Sequence, residues 1–267
     1  MDFMKLSITD WTFGYQPDEM LFKNVALLLE SGNVLSILGA NGCGKTTLIK
    51  TLVGILNPHI GRIVLNDEDI TGNSSRCSFF GYVQQVTDSP LPYTAFNMVL
   101  MGRARFINLF SRPRSEDIGA AEEAMKEMGI IHLRHRSFSR LSGGERQLVL
   151  IARAIASGAK ILVFDEPTSA LDVKNQYHTL KMIHKLAHLK RYLVIFTTHD
   201  PVHALQVSDY SLIMKKGTGH RFGVTEEVLT EANIDYAYGI DVKICSIPHC
   251  NCELKAIAPV MDLQLGT

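Results

Sequence analysis

Gly39-Ala40-Asn41-Gly42-Cys43-Gly44-Lys45-Thr46 satisfies every fixed position of the phosphate-binding pattern G-x-x-x-x-G-K-[ST]. The chemistry these residue types do at this spacing is to hold a nucleotide. Glycines let the backbone curl with its N–H groups turned inward, and a following helix N-terminus adds partial positive charge, so the loop accepts the α- and β-phosphates. Lys45 then reaches the β/γ-phosphates, and the Thr46 hydroxyl is a ligand for Mg²⁺. Two carboxylates close the apolar run Ile161-Leu162-Val163-Phe164-Asp165-Glu166. Asp165 suits the Mg²⁺ shell, and Glu166 is placed to orient or deprotonate an attacking water. His199 ends a second apolar run, Tyr192 to Thr198. A lone histidine there is commonly structural, but beside the other motifs a γ-phosphate contact is favoured. In Leu141-Ser142-Gly143-Gly144-Glu145-Arg146-Gln147, Ser142 and Glu145 stand at capping-box spacing. The helix start they fix leaves backbone N–H groups at Gly143 and Gly144 as a second anion site.

The elements that must position these groups are legible around them. Val34 to Leu38 has the length and bounds of a buried strand, and Leu48, Ile49, Leu52 and Val53 recur at helical spacing, so the phosphate loop sits between strand and helix. Leu6 to Phe13 and Leu21 to Glu30 read as a two-stranded entry. Tyr15 follows the first of these, as packing or as an aromatic that stacks on a purine. Arg62 to Asp67 and Phe79 to Gln85 read as further strands. From Asp88 the character changes. Thr94 to Arg103 is helical and strongly apolar, Ser115-Glu116-Asp117 opens another helix with Ser115 as its cap, and Gly129 ends it, so a helical insert is expected over about 87–157. Arg134, His135, Arg136 and Arg140 are expected on a solvated face rather than at an anion site. The apolar runs with acids or histidine at their ends imply an α/β sheet whose strand ends carry the ligands.

Composition narrows the classes. The chain has 267 residues, 46% hydrophobic, enough for one large α/β domain with an inserted subdomain. Lys+Arg and Asp+Glu both number 27, so no general field for nucleic acid is implied. No apolar run approaches bilayer-spanning length, and Met1 to Trp11 reads as a strand, not a secretion signal. Five cysteines show no disulfide framework. Cys43, beside a helix N-terminus and Lys45, is expected to carry a lowered pKa and to react with maleimides unless Mg-ATP covers it; the other reading is a buried, inert thiol. In the tail, Cys245, His249, Cys250 and Cys252 lack a common zinc spacing, and a plain loop between two short strands is favoured over a metal or redox site.

The order of these motifs resembles the ATP-binding-cassette (ABC) ATPases over roughly residues 2–220. That resemblance makes Gly39 to Thr46 the Walker A loop, Gln85 the Q-loop glutamine, Leu141 to Gln147 the ABC signature, Ile161 to Glu166 Walker B, Ser169-Ala170-Leu171-Asp172 the D-loop and His199 the switch histidine. It implies a P-loop NTPase core sheet, an antiparallel β subdomain and an inserted α-helical subdomain, with an ATPase domain over 1–222 and an extension, 223–267, packed on it. It implies ATP and Mg²⁺, catalysis through Glu166, His199 and Gln85, and metal ligation by Thr46, Gln85 and Asp165. Nucleotide contacts are implied for Tyr15, Gly39, Asn41, Gly42, Cys43, Gly44, Lys45, Thr46 and Thr47, and for Ser142, Gly143, Gly144 and Asp172 across a head-to-tail homodimer. Gln84 departs from the family, where proline is common, and leaves open which glutamine functions. Within the family, Val99 to Arg103, Glu145 to Ala154, Thr198 to Leu205 and Tyr238-Gly239-Ile240 look like ATPase subunits of prokaryotic importers for iron chelates, haem, cobalamin or molybdate. The implied partners are two permease subunits docking near 85–110, where Tyr93 and Met98 are expected at the surface, and a separate substrate-binding protein. The implied location is the cytoplasmic face of the membrane. The alternative is a soluble ABC ATPase without a permease, of the kind that serves iron–sulfur cluster assembly.

Overall fold

The computed structural model describes residues 3–16, 18–73, 75–84, 92–108, 110–169, 171–217, 219–249 and 252–261. Its centre is a six-stranded sheet in the order β10 (His220–Val224), β9 (Tyr210–Met214), β3 (Val34–Leu38), β8 (Leu193–Thr198), β7 (Ile161–Phe164), β6 (Phe80–Val83). All neighbours run parallel except β10, which pairs antiparallel with β9 at the edge. The inner strands are buried on both faces, which is why they read as unbroken apolar runs. Alternation sends Leu162, Phe164, Val194 and Phe196 into one core and Ile161, Val163, Leu193 and Ile195 into the other.

The first core is helical: α2 (Ala95–Leu100), α3 (Ser115–Glu127), α4 (Gly143–Ala156) and α5 (Val173–His188) cover that face. The second is closed by α1 (Lys45–Leu52) and a four-stranded antiparallel sheet, ordered β2 (Phe22–Glu30), β1 (Lys5–Phe13), β4 (Ile60–Leu65), β5 (Glu68–Asp69). Trp11 fastens this sheet to α1: fully buried, it donates its indole N–H to the Thr51 hydroxyl at 2.9 Å. Arg76, also buried, donates to the carbonyls of Thr71, Thr51 and Leu56 and lies over the Trp11 ring.

Two expectations are corrected in the helical layer. The apolar run from Thr94 stays α-helical only to Leu100 and tightens into a 3₁₀ helix over Met101–Phe106. Ser115 is the first helical residue and not the cap; Asp117 accepts the N–H of Arg114 at 3.0 Å, so an acid inside the first turn supplies the capping bond. The basic cluster is a charged surface, Arg134 paired with Glu122 and Arg136 with Glu145.

After β10, which runs across position 222, come α7 (Thr225–Val228) and α8 (Glu231–Tyr238), then the hairpin β11 (Val242–His249) and β12 (Cys252–Pro259). α6 is Pro201–Val207, started by Pro201 and capped by the Asp200 carboxylate. Val228, Leu229 and Ala237 close a small third core with Leu38, Ala204 and Ile213. Among the described residues no helix is long and apolar enough to cross a membrane, and no group of three or more His, Cys, Asp or Glu side chains is arranged to hold a metal ion.

Candidate functional site

The parallel strands β3, β7 and β8 end side by side, and the chain leaving each delivers a chemical group. β3 runs into the phosphate loop. Gly44 stands before α1 at φ +109, and a Cβ there would sit 2.9 Å from Leu21, so both conformation and space call for glycine. No side chain caps α1 and no acid occupies its first turn. A helix start without a carboxylate or hydroxyl over it suits an anion. Lys45 is buried, its Nζ donating to the carbonyls of Gly39 at 2.7 Å and Ala40 at 3.2 Å.

β7 delivers the carboxylates. Asp165 Oδ1 accepts from the Thr46 hydroxyl at 3.0 Å and the Thr197 hydroxyl at 2.9 Å, while Oδ2 accepts from Tyr82 at 3.3 Å. Burial, with Asp165 adding to it, pushes the Tyr82 phenol far above its usual range, so it remains a donor. The Thr46 hydroxyl and Asp165 carboxylate are adjacent hard oxygen donors, the set a Mg²⁺ ion takes. Glu166 holds a left-handed backbone, φ +47, a conformation that costs a non-glycine residue roughly 1–3 kcal/mol. It is secured by its N–H donating to the Thr197 hydroxyl at 2.8 Å and its carbonyl accepting from Ser169. Thr197 thus orients both acids. The sequence signal for it was a pair of threonines inside an otherwise apolar strand.

Tyr15, Asn41, Gly42, Gly44, Lys45, Thr46, Thr47 and Glu166 line a single pocket of about 240 Å³, with Leu21 as an unexpected wall. Tyr15 is 69% exposed, stands edge-on to Phe13, and shares a hydrogen bond of 3.1 Å with Thr47. A second hollow of about 270 Å³ adjoins it through Tyr15 and Leu21 and is bordered by Gln16, Glu19 and Lys216. His199 is exposed at the end of β8. Its neighbour His203 is buried with Nδ1 at 3.2 Å from the Thr168 hydroxyl, and burial holds its pKa below the usual histidine value.

The expectation of a reactive Cys43 is overturned. Its side chain is 1% exposed and packed in the core beneath the loop. Burial raises its pKa and outweighs the opposing pull of Lys45. Ser142, Gly143 and Gly144 do not line the pocket. They begin α4 beside the start of α5, where a Cβ on Gly144 would meet Asn175 at 3.0 Å. Ser142 and Glu145 form the reciprocal capping box, and Asp172 caps α5 by accepting the Asn175 N–H at 2.7 Å. Gln85, Ala170 and Cys250 lie outside the described residues; Gln84 is exposed.

Tyr93, Leu100, Met101, Ala104, Ile107 and Pro113 border an open apolar groove of about 390 Å³ on the helical layer. Met98 is not part of it: at 3% exposure it belongs to the helical core. A short helix shows only part of each turn to solvent, and Met98 points inward with Val99.

The sequence profile of the family described as ABC transporter matches residues 22–169. The molybdate import ATP-binding protein MolC of Haemophilus influenzae is 40% identical, with 86% of each chain covered. The iron(3+)-hydroxamate import ATP-binding protein FhuC of Bacillus subtilis is 31% identical, covering 97% of this chain and 95% of that one. Among solved structures, an ABC transporter of metal-chelate type in an inward-facing conformation matches with a TM-score of 0.87 and 35% identity over 97% of this chain and 98% of its own. This chain, with a phosphate loop and two acids at the ends of a parallel sheet, thus matches ATP-binding subunits of transporters over most of its length, and it belongs to the ABC transporter family.

Proposed function

We propose that this chain is the energy-coupling ATPase of an importer for a metal chelate or an oxyanion, of the iron-siderophore, haem, cobalamin or molybdate class. The observation that carries it is the near-complete overlap, 86% or more of each chain, with ATP-binding subunits of molybdate and iron-hydroxamate importers. In this reading ATP lies against Tyr15, its phosphates on the N–H groups of Gly39 to Thr47. Thr46 and Asp165, with Gln85, would hold Mg²⁺, which supplies charge neutralisation on the β- and γ-phosphate oxygens. Lys45 exchanges its two carbonyl partners for phosphate oxygens. Glu166, held in its strained conformation at the pocket wall, orients or deprotonates the attacking water, and His199 contacts the γ-phosphate.

The single-chain pocket lacks Ser142, Gly143, Gly144 and Asp172, which supports a head-to-tail homodimer in which each signature closes on the partner's nucleotide. Two permeases would dock on the groove at Tyr93 and Met101, and a separate binding protein would deliver substrate, with the ATPase peripheral at the cytoplasmic membrane face. Balanced charge gives no support to nucleic-acid binding. The apolar groove favours this reading over a soluble ABC ATPase such as one for iron–sulfur assembly. Co-expression with its genomic neighbours tests it: the chain should sediment with membranes, and Tyr93→Glu with Met101→Glu should release it with ATP binding intact. An unaltered chain that never meets the membrane would sink the importer reading.

A further inference from the structure

The segment after β10 holds none of the nucleotide motifs, yet it reaches the phosphate loop. α8 starts at Thr230, whose hydroxyl accepts the Asn233 N–H at 3.2 Å, and stops at Gly239 with φ +67. Its last residue, Tyr238, packs on the small core of Leu38, Ala204, Ile213 and Val228. From there the phenol oxygen accepts the backbone N–H of Gly39 at 3.1 Å, across 199 positions of sequence. Gly39 opens the phosphate loop, and its own carbonyl receives Lys45 Nζ at 2.7 Å. One residue therefore stands between the C-terminal extension and the lysine of the loop.

Gly39 has little room to move by itself. It is buried, sits at φ +146, and a Cβ on it would lie 2.3 Å from the Met214 carbonyl oxygen and 2.7 Å from Cys43 Sγ. An unpaired N–H at a buried residue is costly enough that the backbone would shift to satisfy it. A shift here would travel along a loop whose N–H groups must together converge on the nucleotide's phosphates. Burial keeps the Tyr238 phenol protonated well above its ordinary range, so no ionisation disturbs the contact near neutral pH.

We propose that Tyr238 is a positioning residue for ATP binding: through its hydroxyl the C-terminal extension holds the first turn of the phosphate loop in its nucleotide-accepting shape. The proposal rests on the reading of Gly39 to Thr46 as the ATP loop and adds a control point outside the cassette motifs. Whatever displaces α8 then alters ATP affinity without touching Glu166.

Tyr238→Phe in the full chain removes the hydroxyl and keeps the ring in its core. The expected result is a KM for Mg-ATP raised about 3–10-fold, the loss of one neutral hydrogen bond, with kcat within about twofold, the pattern of lost uniform binding. Val228→Ala, which thins the same core without touching the loop, should leave KM unchanged. In the unaltered, nucleotide-free chain the Gly39 amide should exchange with deuterium far more slowly than an open loop amide, a measurement that decides the matter even if the phenylalanine variant folds poorly. A wild-type KM in Tyr238→Phe, an equal rise in Val228→Ala, or a freely exchanging Gly39 amide would each overturn the proposal. Lys45→Ala separates the two levels: loss of ATP there alongside normal binding by Tyr238→Phe sinks only the positioning role, whereas normal binding by Lys45→Ala sinks the loop reading beneath it.

Discussion

Two helices of this chain begin where glycines offer backbone N–H groups to an anion, and they are finished in opposite ways. α1 starts at Gly44 with no side-chain cap and no acid in its first turn. α4 starts at Ser142 and is closed on itself: the Ser142 hydroxyl accepts the Glu145 N–H, and Glu145 Oε2 accepts the Ser142 N–H at 2.8 Å. Each helix end carries roughly half a positive charge. At α1 a phosphate meets no competing acid in the first turn, while at α4 it competes with a carboxylate already in place. In the proposed reading the open end is a binding site in a single chain. The same reading has the self-capped end add to binding only when a second chain delivers the phosphate to it.

The largest effects should follow from that division. Glu166→Gln is expected to lower turnover about 10²–10⁴-fold while ATP still binds; near-normal turnover would remove Glu166 from the water-activating role. Lys45→Ala should lose nucleotide affinity in the isolated chain, because its charge meets phosphate in ground and transition states alike.

Ser142→Glu sharpens the contrast. Placing a second carboxylate at the α4 end should cost about 10²-fold in turnover, the scale of one lost preorganised donor. Equilibrium binding of ATP by the isolated chain should be unchanged. If Ser142→Glu weakens that binding as Lys45→Ala does, the two ends act on one nucleotide within one chain and the comparison fails.

Cys43 tests whether the open end is open only toward ligand. With its thiol turned into the core and its pKa raised from 9.0, maleimide labelling at neutral pH should be at least about tenfold slower than at the exposed Cys77 and Cys245. Mg-ATP should make no difference. Rapid, ATP-blocked labelling of Cys43 would mean that the loop presents this side chain to the pocket.

What could be read from the sequence was what local spacing encodes. The phosphate loop, the capping box and the doubly buried strands are each set by residues a few positions apart, so pattern and geometry coincide. Side-chain direction in short elements was not legible: Met98 and Met101 are both apolar in one run, yet 3% and 40% exposed, because Met98 faces the helical core while Met101 lies beyond the end of α2. Cys43 was misjudged because the loop's field was visible in the sequence but its burial was not. Local pattern does not name the partners that topology brings together, as with Thr197 beneath both acids and Tyr238 against Gly39. Tyr238 carried one signal, a tyrosine directly before a helix-ending glycine, which marks a C-terminus without naming what the ring touches.

The smallest effect concerns what the self-cap contributes to stability. Glu145 accepts from Ser142, and this hydrogen bond, ahead of Arg136 and His132 nearby, holds its pKa below the ordinary glutamate value of 4.5. A carboxylate with a lowered folded pKa stabilises the fold above its unfolded value and loses that contribution as pH falls through the folded one. Glu145→Gln keeps a hydrogen-bond acceptor but removes the charge over the helix end, so at pH 7 and low ionic strength it should cost about 0.3–1 kcal/mol. Exposure to solvent draws the value toward the lower figure. For a chain of this size that is a fall in Tm of roughly 1–3 °C. The gap between unaltered and Gln forms should narrow as the pH falls from 4.5 through the lower folded pKa, below which the wild-type acid is itself neutralised, and should shrink with added salt at pH 7. A gap that stays the same from pH 7 down to the acid limit of the folded state, or is indifferent to salt, would mean that Glu145 closes α4 by packing and hydrogen bonding alone. The α4 end would then be no more hostile to an incoming phosphate than the α1 end.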